Sequence, residues 1–145
     1  MDKKCCSCNP KAMAAALLRW TIGLIFLVGG VSKLGMLNGF VHGYLVPAFE
    51  KTVLPAALVV AYGYALPFVE LAIGVLLLLG LCRVFALSLA GLTLLSLCFG
   101  QMLLKAPSVI ADISLYVLMT ATALFMIEND CCALDNLRGA DPIEE

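Results

Sequence analysis

The chain has 145 residues, of which 63% are hydrophobic and only 13% charged, with a formal net charge of −1 and a mean hydropathy of +1.05. A water-soluble domain of this length would be about half apolar and about a quarter charged, so lipid is the solvent for most of this chain. The charge balance shows no basic patch, which argues against a nucleic-acid partner. In chain order, residues 1–12 come first, "MDKKCCSCNP" and two more, a polar segment with Cys5, Cys6 and Cys8. A first span is predicted over residues 13–34. It is as long as a full bilayer crossing and no small-residue cleavage site of the A-x-A kind follows it, so it is expected to stay uncleaved. The connecting stretch "GMLNGFVHGYLVPAFEKTVLP" is too polar to cross and too apolar to float free. Its glycines and Pro47 break regular structure, and an interfacial segment is expected there. Spans two, three and four are predicted over residues 56–81, 84–104 and 108–127. The turn between spans two and three, near Cys82–Arg83, is very short, so those helices are antiparallel neighbours. Pro107 suits the first position of the last helix. Residues 128–145 form an acidic tail with Cys131 and Cys132. The expected fold is all-α: an integral membrane four-helix bundle over residues 13–127, flanked by two cysteine-bearing ends.

An even number of crossings puts both ends on one side. Lys3, Lys4, Lys11, Arg83 and Arg138 fall on that side and Lys33, Lys51 and Lys105 on the other, a bias that favours cytoplasmic ends. Cys5, Cys6, Cys8, Cys82, Cys131 and Cys132 then gather at one membrane face, and Cys98 does not. In a reducing compartment structural disulfides are not expected. Cys5, Cys6, Cys8, Cys131 and Cys132 are candidate ligands for a thiolate-bound soft metal, or a redox site. Their spacing matches no standard zinc or ferredoxin pattern, and surface thiols with no shared ligand, or acylated ones, remain the plain alternative.

Ionisable side chains inside spans cost roughly 2.5–3.5 kcal/mol each on insertion scales and mark function by default. Here they are Arg19, Lys33, Glu70 and Asp112. Arg19, Gly23, Phe26, Gly30 and Lys33 step by four and three residues, which is one helical face. Pro67, Glu70, Gly74, Leu77 and Leu81 make a second such face. Either Arg19 or Lys33 could pair with Glu70, depending on where span two enters the bilayer. Glu70, Arg19 and Lys33 are the candidate reactive set, binding an anion or a quinone head group and managing a proton. Lys33, His42, Gln101 and Asp112 are candidate substrate-binding residues around one polar cavity at the far face. The plainer reading has Arg19 and Lys33 snorkelling to the interface, Asp112 near a helix start, and His42 incidental. No nucleophile–base–orienter set and no phosphate loop is present.

"LRWTIGLIFLVGGVSKL" followed by "LPFVELAIGVLLLLGLCRVFAL" resembles the DoxX family of small four-helix membrane proteins. The matching positions are Arg19, Gly23, Phe26, Gly30 and Lys33, then Pro67, Glu70, Gly74, Gly80 and Arg83. The wider group includes MauE proteins and the thiosulfate:quinone oxidoreductase subunit DoxD. The resemblance, over roughly residues 17–127, implies a bacterial or archaeal inner-membrane protein linked to sulfur or thiol redox and to quinone. The cysteine-rich ends are outside the family pattern. The expected function is coupling of sulfur or thiol oxidation to quinone, with a soluble redox or sulfur-transfer partner and self-association as further expectations. The alternatives are a handler of thiophilic metal or metalloid ions and a non-catalytic membrane scaffold.

Overall fold

In a computed structural model the chain is described over residues 10–130, and these are helical almost throughout. Four long helices, α1 (Pro10–Gly35), α3 (Ala56–Leu79), α4 (Arg83–Leu103) and α5 (Pro107–Phe125), match the four predicted spans to within a few residues at each end. Each is long and apolar enough to cross a membrane. Between α1 and α3 the expected interfacial segment is a π-helical stretch, Gly39–Leu45, continuing into the single-turn α2, Val46–Phe49. A 3₁₀ turn, Ile127–Asn129, follows α5. No strand occurs among the described residues.

Glycines set how closely the helices approach. A Cβ on Gly74 would lie 2.6 Å from the backbone nitrogen of Leu27, and one on Gly30 would lie 2.9 Å from both Leu71 N and Pro67 O. The backbones of α1 and α3 therefore touch, which only glycine permits. Gly23 meets Leu77 and Leu78 on the same seam. These three contacts fix one antiparallel register, in which Gly30 faces Leu71 and Leu27 faces Gly74.

The α3–α4 connection is a tight reversal. Gly80 closes α3 in the left-handed region at φ 68°, and Leu81 N bonds back to Leu76 O at 2.9 Å, a Schellman-type end. Pro107 opens α5 as expected. Small Ala86 and Ala90 and branched Ile22, Ile73, Leu87 and Leu94 fill the shared core. Leu24, Val28, Phe68, Leu92, Leu95, Leu115 and Leu118 are exposed on the outside, an apolar surface that lipid would cover.

With antiparallel helices, Pro10, the α3–α4 turn and Asp130 lie at one end of the bundle, the terminal end. The interfacial segment and the α4–α5 turn lie at the other, the far end.

Candidate functional site

Arg19 and Glu70, both expected to be costly to bury, are 1% and 4% exposed, and each has its own partner. At the terminal end Arg19 Nε lies 2.6 Å from Asp130 Oδ2. Its Nη1 donates to the carbonyl oxygens of Leu77 and Leu78, the last turn of α3. Leu77 O also accepts from Gly80 N at 3.2 Å, and a guanidinium at this helix end adds a second donor there and complements the helix dipole. Arg83 Nη1 donates to Asp130 O at 2.6 Å and to Ile127 O at 3.4 Å. Two arginines thus tie the end of the 3₁₀ turn Ile127–Asn129 onto the bundle.

Of the two partners left open for Glu70, the structure selects Lys33. Lys33 Nζ lies 2.7 Å from Oε1 and 2.6 Å from Oε2. The register explains this. Lys33 falls opposite Phe68, about 3 Å along the axis from Glu70, whereas Arg19 falls opposite Cys82, about 18 Å away at ~1.5 Å per residue. Gly29 leaves room beside the pair, a Cβ there lying 3.6 Å from Glu70 Oε2 and 3.7 Å from Lys33 Nζ. The ammonium also sits 5.8 Å from the centre of the Phe40 ring, a cation–π distance.

Beside this ion pair the far half of the bundle holds a cavity of about 450 Å³. That is within the size of small-molecule sites, about 300–1,000 Å³. Helices α3 and α4 form its sides through Val59, Tyr62, Leu66, Ser96, Leu97 and Gly100, and α5 contributes Val109 and Ile113. The interfacial segment roofs it with Phe40, Tyr44, Leu45 and Phe49. The roof is seated by glycines. Leu45 and Val41 pack into the space left at Gly63, and Phe49 lies against Gly100. Tyr64 Oη, donating to Asn38 Oδ1 at 2.8 Å, ties its approach to α3.

The cavity wall is mainly apolar. Its polar groups are the Lys33 ammonium, Gln101, and a hydroxyl pair, Tyr62 and Ser96, 2.7 Å apart. Lys33 is among the residues lining the cavity, and two of its three N–H donors hold Glu70. The polar cavity expected from the sequence is therefore a largely apolar one with a few polar points.

Two of the expected cavity residues lie elsewhere. His42 is exposed and meets the edge of the Tyr64 ring at 6.2 Å. Its neighbour Val41 takes the inward position. Asp112 is exposed because the next residue, Ile113, turns inward to the core and the cavity, about 100° around a helix. Tyr62, Ser96 and Asp130 were not singled out by sequence reasoning. Asp130 had a signal, since a buried Arg19 needs an acid and Asp130 follows the last span at the same end. Ser96 had none, being an ordinary small polar residue in an apolar helix.

The candidate metal ligands Cys5, Cys6, Cys8, Cys131 and Cys132 lie outside the described residues. Among the described residues Cys82 is exposed at the α3–α4 turn, Cys98 is half-buried in α4, and no group of three or more His, Cys, Asp or Glu side chains is arranged to hold a metal ion.

Residues 11–108 match the family model of the methylamine utilisation protein MauE. No curated protein and no solved structure matches the chain. The matched region takes in α1, the roofing segment, α3 and α4, and so both members of the Lys33–Glu70 pair and the greater part of the cavity wall.

Proposed function

The chain belongs to the MauE family of multi-pass membrane proteins, and from that premise we propose that it is a membrane redox protein whose far-end cavity takes a quinone. The observation that carries this reading is the cavity itself. It is walled by Leu, Val and Phe side chains and carries one cationic donor, Lys33, anchored by the buried Glu70. An apolar ring with polar oxygens, entering from the bilayer, matches such a lining. The Lys33 ammonium suits a carbonyl oxygen that gains negative charge on reduction.

The reducing equivalents come from a thiol pair or a reduced sulfur compound. In the thiol case two S–H bonds break and one S–S bond forms. Two electrons and two protons leave the donor, and the quinone takes up all four to become a quinol. The Lys33–Glu70 pair holds a proton on the ammonium next to the ring and balances the charge there. The DoxX resemblance of the α1 and α3 faces supports the sulfur and quinone chemistry and a bacterial or archaeal inner membrane, and the Lys/Arg bias supports both ends in the cytoplasm.

The terminal cysteines are not the donors at this cavity. From Pro10 to Lys33 helix α1 rises about 35 Å. Cys5, the furthest of them from the described helices, is joined to Pro10 by a chain that spans at most ~18 Å. Their place in this reading is contact with a soluble partner at the terminal face.

The test is the quinone content of protein purified in its native lipid. About one quinone per chain above the level of the surrounding lipid is expected. A severalfold loss is expected in Lys33→Met, whose neutral side chain offers no donor. Content equal to that of bulk lipid in the unaltered protein would overturn the proposal.

A further inference from the structure

The hydroxyl pair at the other end of the cavity carries an inference that rests on the quinone reading and deepens it. Ser96 Oγ lies 2.7 Å from Thr93 O and 2.7 Å from Tyr62 Oη. A backbone carbonyl can only accept, so the single hydroxyl hydrogen of Ser96 goes to Thr93. Tyr62 therefore donates its own hydrogen to Ser96. What Tyr62 presents to the cavity is an oxygen lone pair, an acceptor. Lys33 is the opposite, an ammonium with donors alone.

The two polar ends of the cavity thus differ in hydrogen-bonding sense. A quinone offers an acceptor at both ends of its ring and can satisfy Lys33 but not Tyr62 as Tyr62 is held. A quinol hydroxyl both accepts and donates. One can accept from Lys33 while the other donates to Tyr62.

We propose that the cavity binds the reduced, hydroxyl-bearing form of its quinone more tightly than the oxidised form, and that Tyr62, oriented by Ser96, is the residue that distinguishes them. The consequence for the reaction is that reduction is favoured within the site and release of quinol is slowed.

The experiment measures dissociation constants of duroquinone and durohydroquinone in lipid nanodiscs without oxygen, corrected with empty discs. The ring of this probe is fully substituted, so it resists addition of cysteine thiols. The unaltered protein is expected to bind the quinol about tenfold more tightly, the scale of one well-made hydrogen bond against one unmade. Tyr62→Phe removes the acceptor and should cancel that preference by weakening the quinol alone. Ser96→Ala releases the Tyr62 hydrogen, which can then turn to a carbonyl, and should tighten the quinone severalfold. If Tyr62 and Ser96 only clasp α3 to α4, both variants will weaken both forms alike, and the proposal falls. Equal affinity for the two forms in the unaltered protein also overturns it and leaves the quinone reading standing, whereas binding of neither form removes both.

Discussion

Among the described residues, the buried charges Arg19, Glu70 and Asp130 have oppositely charged partners far away in the chain. Arg19 and Asp130 are 111 positions apart and Lys33 and Glu70 are 37 apart. Removing one partner leaves an uncompensated charge in an apolar surrounding, which typically costs about 3–5 kcal/mol. Asp130→Ala is therefore expected to lower the thermal unfolding temperature in detergent by several degrees, and Asp130→Ala combined with Arg19→Met to recover much of the loss. Equal melting of the unaltered protein and Asp130→Ala would show that the pair contributes nothing. Glu70 was legible in the sequence because it is a lone acid in an apolar run. Its partner was not, because the choice between Arg19 and Lys33 depends on the register of two helices. Asp130 had a signal in the acid that a buried Arg19 needs, but nothing in the polar stretch after α5 says which of its acids turns back onto the bundle.

The register belongs to the helices as units. The seam between α1 and α3 places Gly30 and Gly74 against backbone atoms that cannot yield. Gly74→Ala should push the helices apart and cost about 1–3 kcal/mol, as overpacking does. Gly91 is the internal comparison, since a Cβ there meets only Thr120 Cγ2 at an ordinary 3.9 Å. Gly91→Ala should be neutral or stabilising by about 0.5–1 kcal/mol, because glycine is the poorer helix former. Thermal unfolding of the two variants side by side checks this, and indistinguishable curves would contradict the account of the seam. The glycine faces were visible as four-and-three steps along α1 and α3. The interfacial segment was visible too, from apolar residues broken by glycines. Its π-helical winding and its seating on Gly63 and Gly100 were not, because both follow from packing against helices that come later in the chain.

For the whole molecule, four helices of crossing length follow from composition and span length alone, and the described residues have four, with Pro10 and Asp130 at one end of the bundle. The cavity does not follow from either. Its polar points come one or two from each of three helices, Lys33, Tyr62, then Ser96 and Gln101, and they meet only where α3 and α4 are roofed by the interfacial segment. His42 and Asp112 looked equally suitable by depth, and rotation about their helices turns them away. The central claim is that this space is a quinone site, and site-directed photolabelling tests it most directly. A photoreactive quinone, irradiated with the protein in native lipid and followed by peptide mapping, is predicted to label residues 58–66 of α3 and 96–101 of α4, with loss of label under excess unmodified quinone. Label confined to the lipid-facing positions of the helices, or undiminished by competitor, would contradict it.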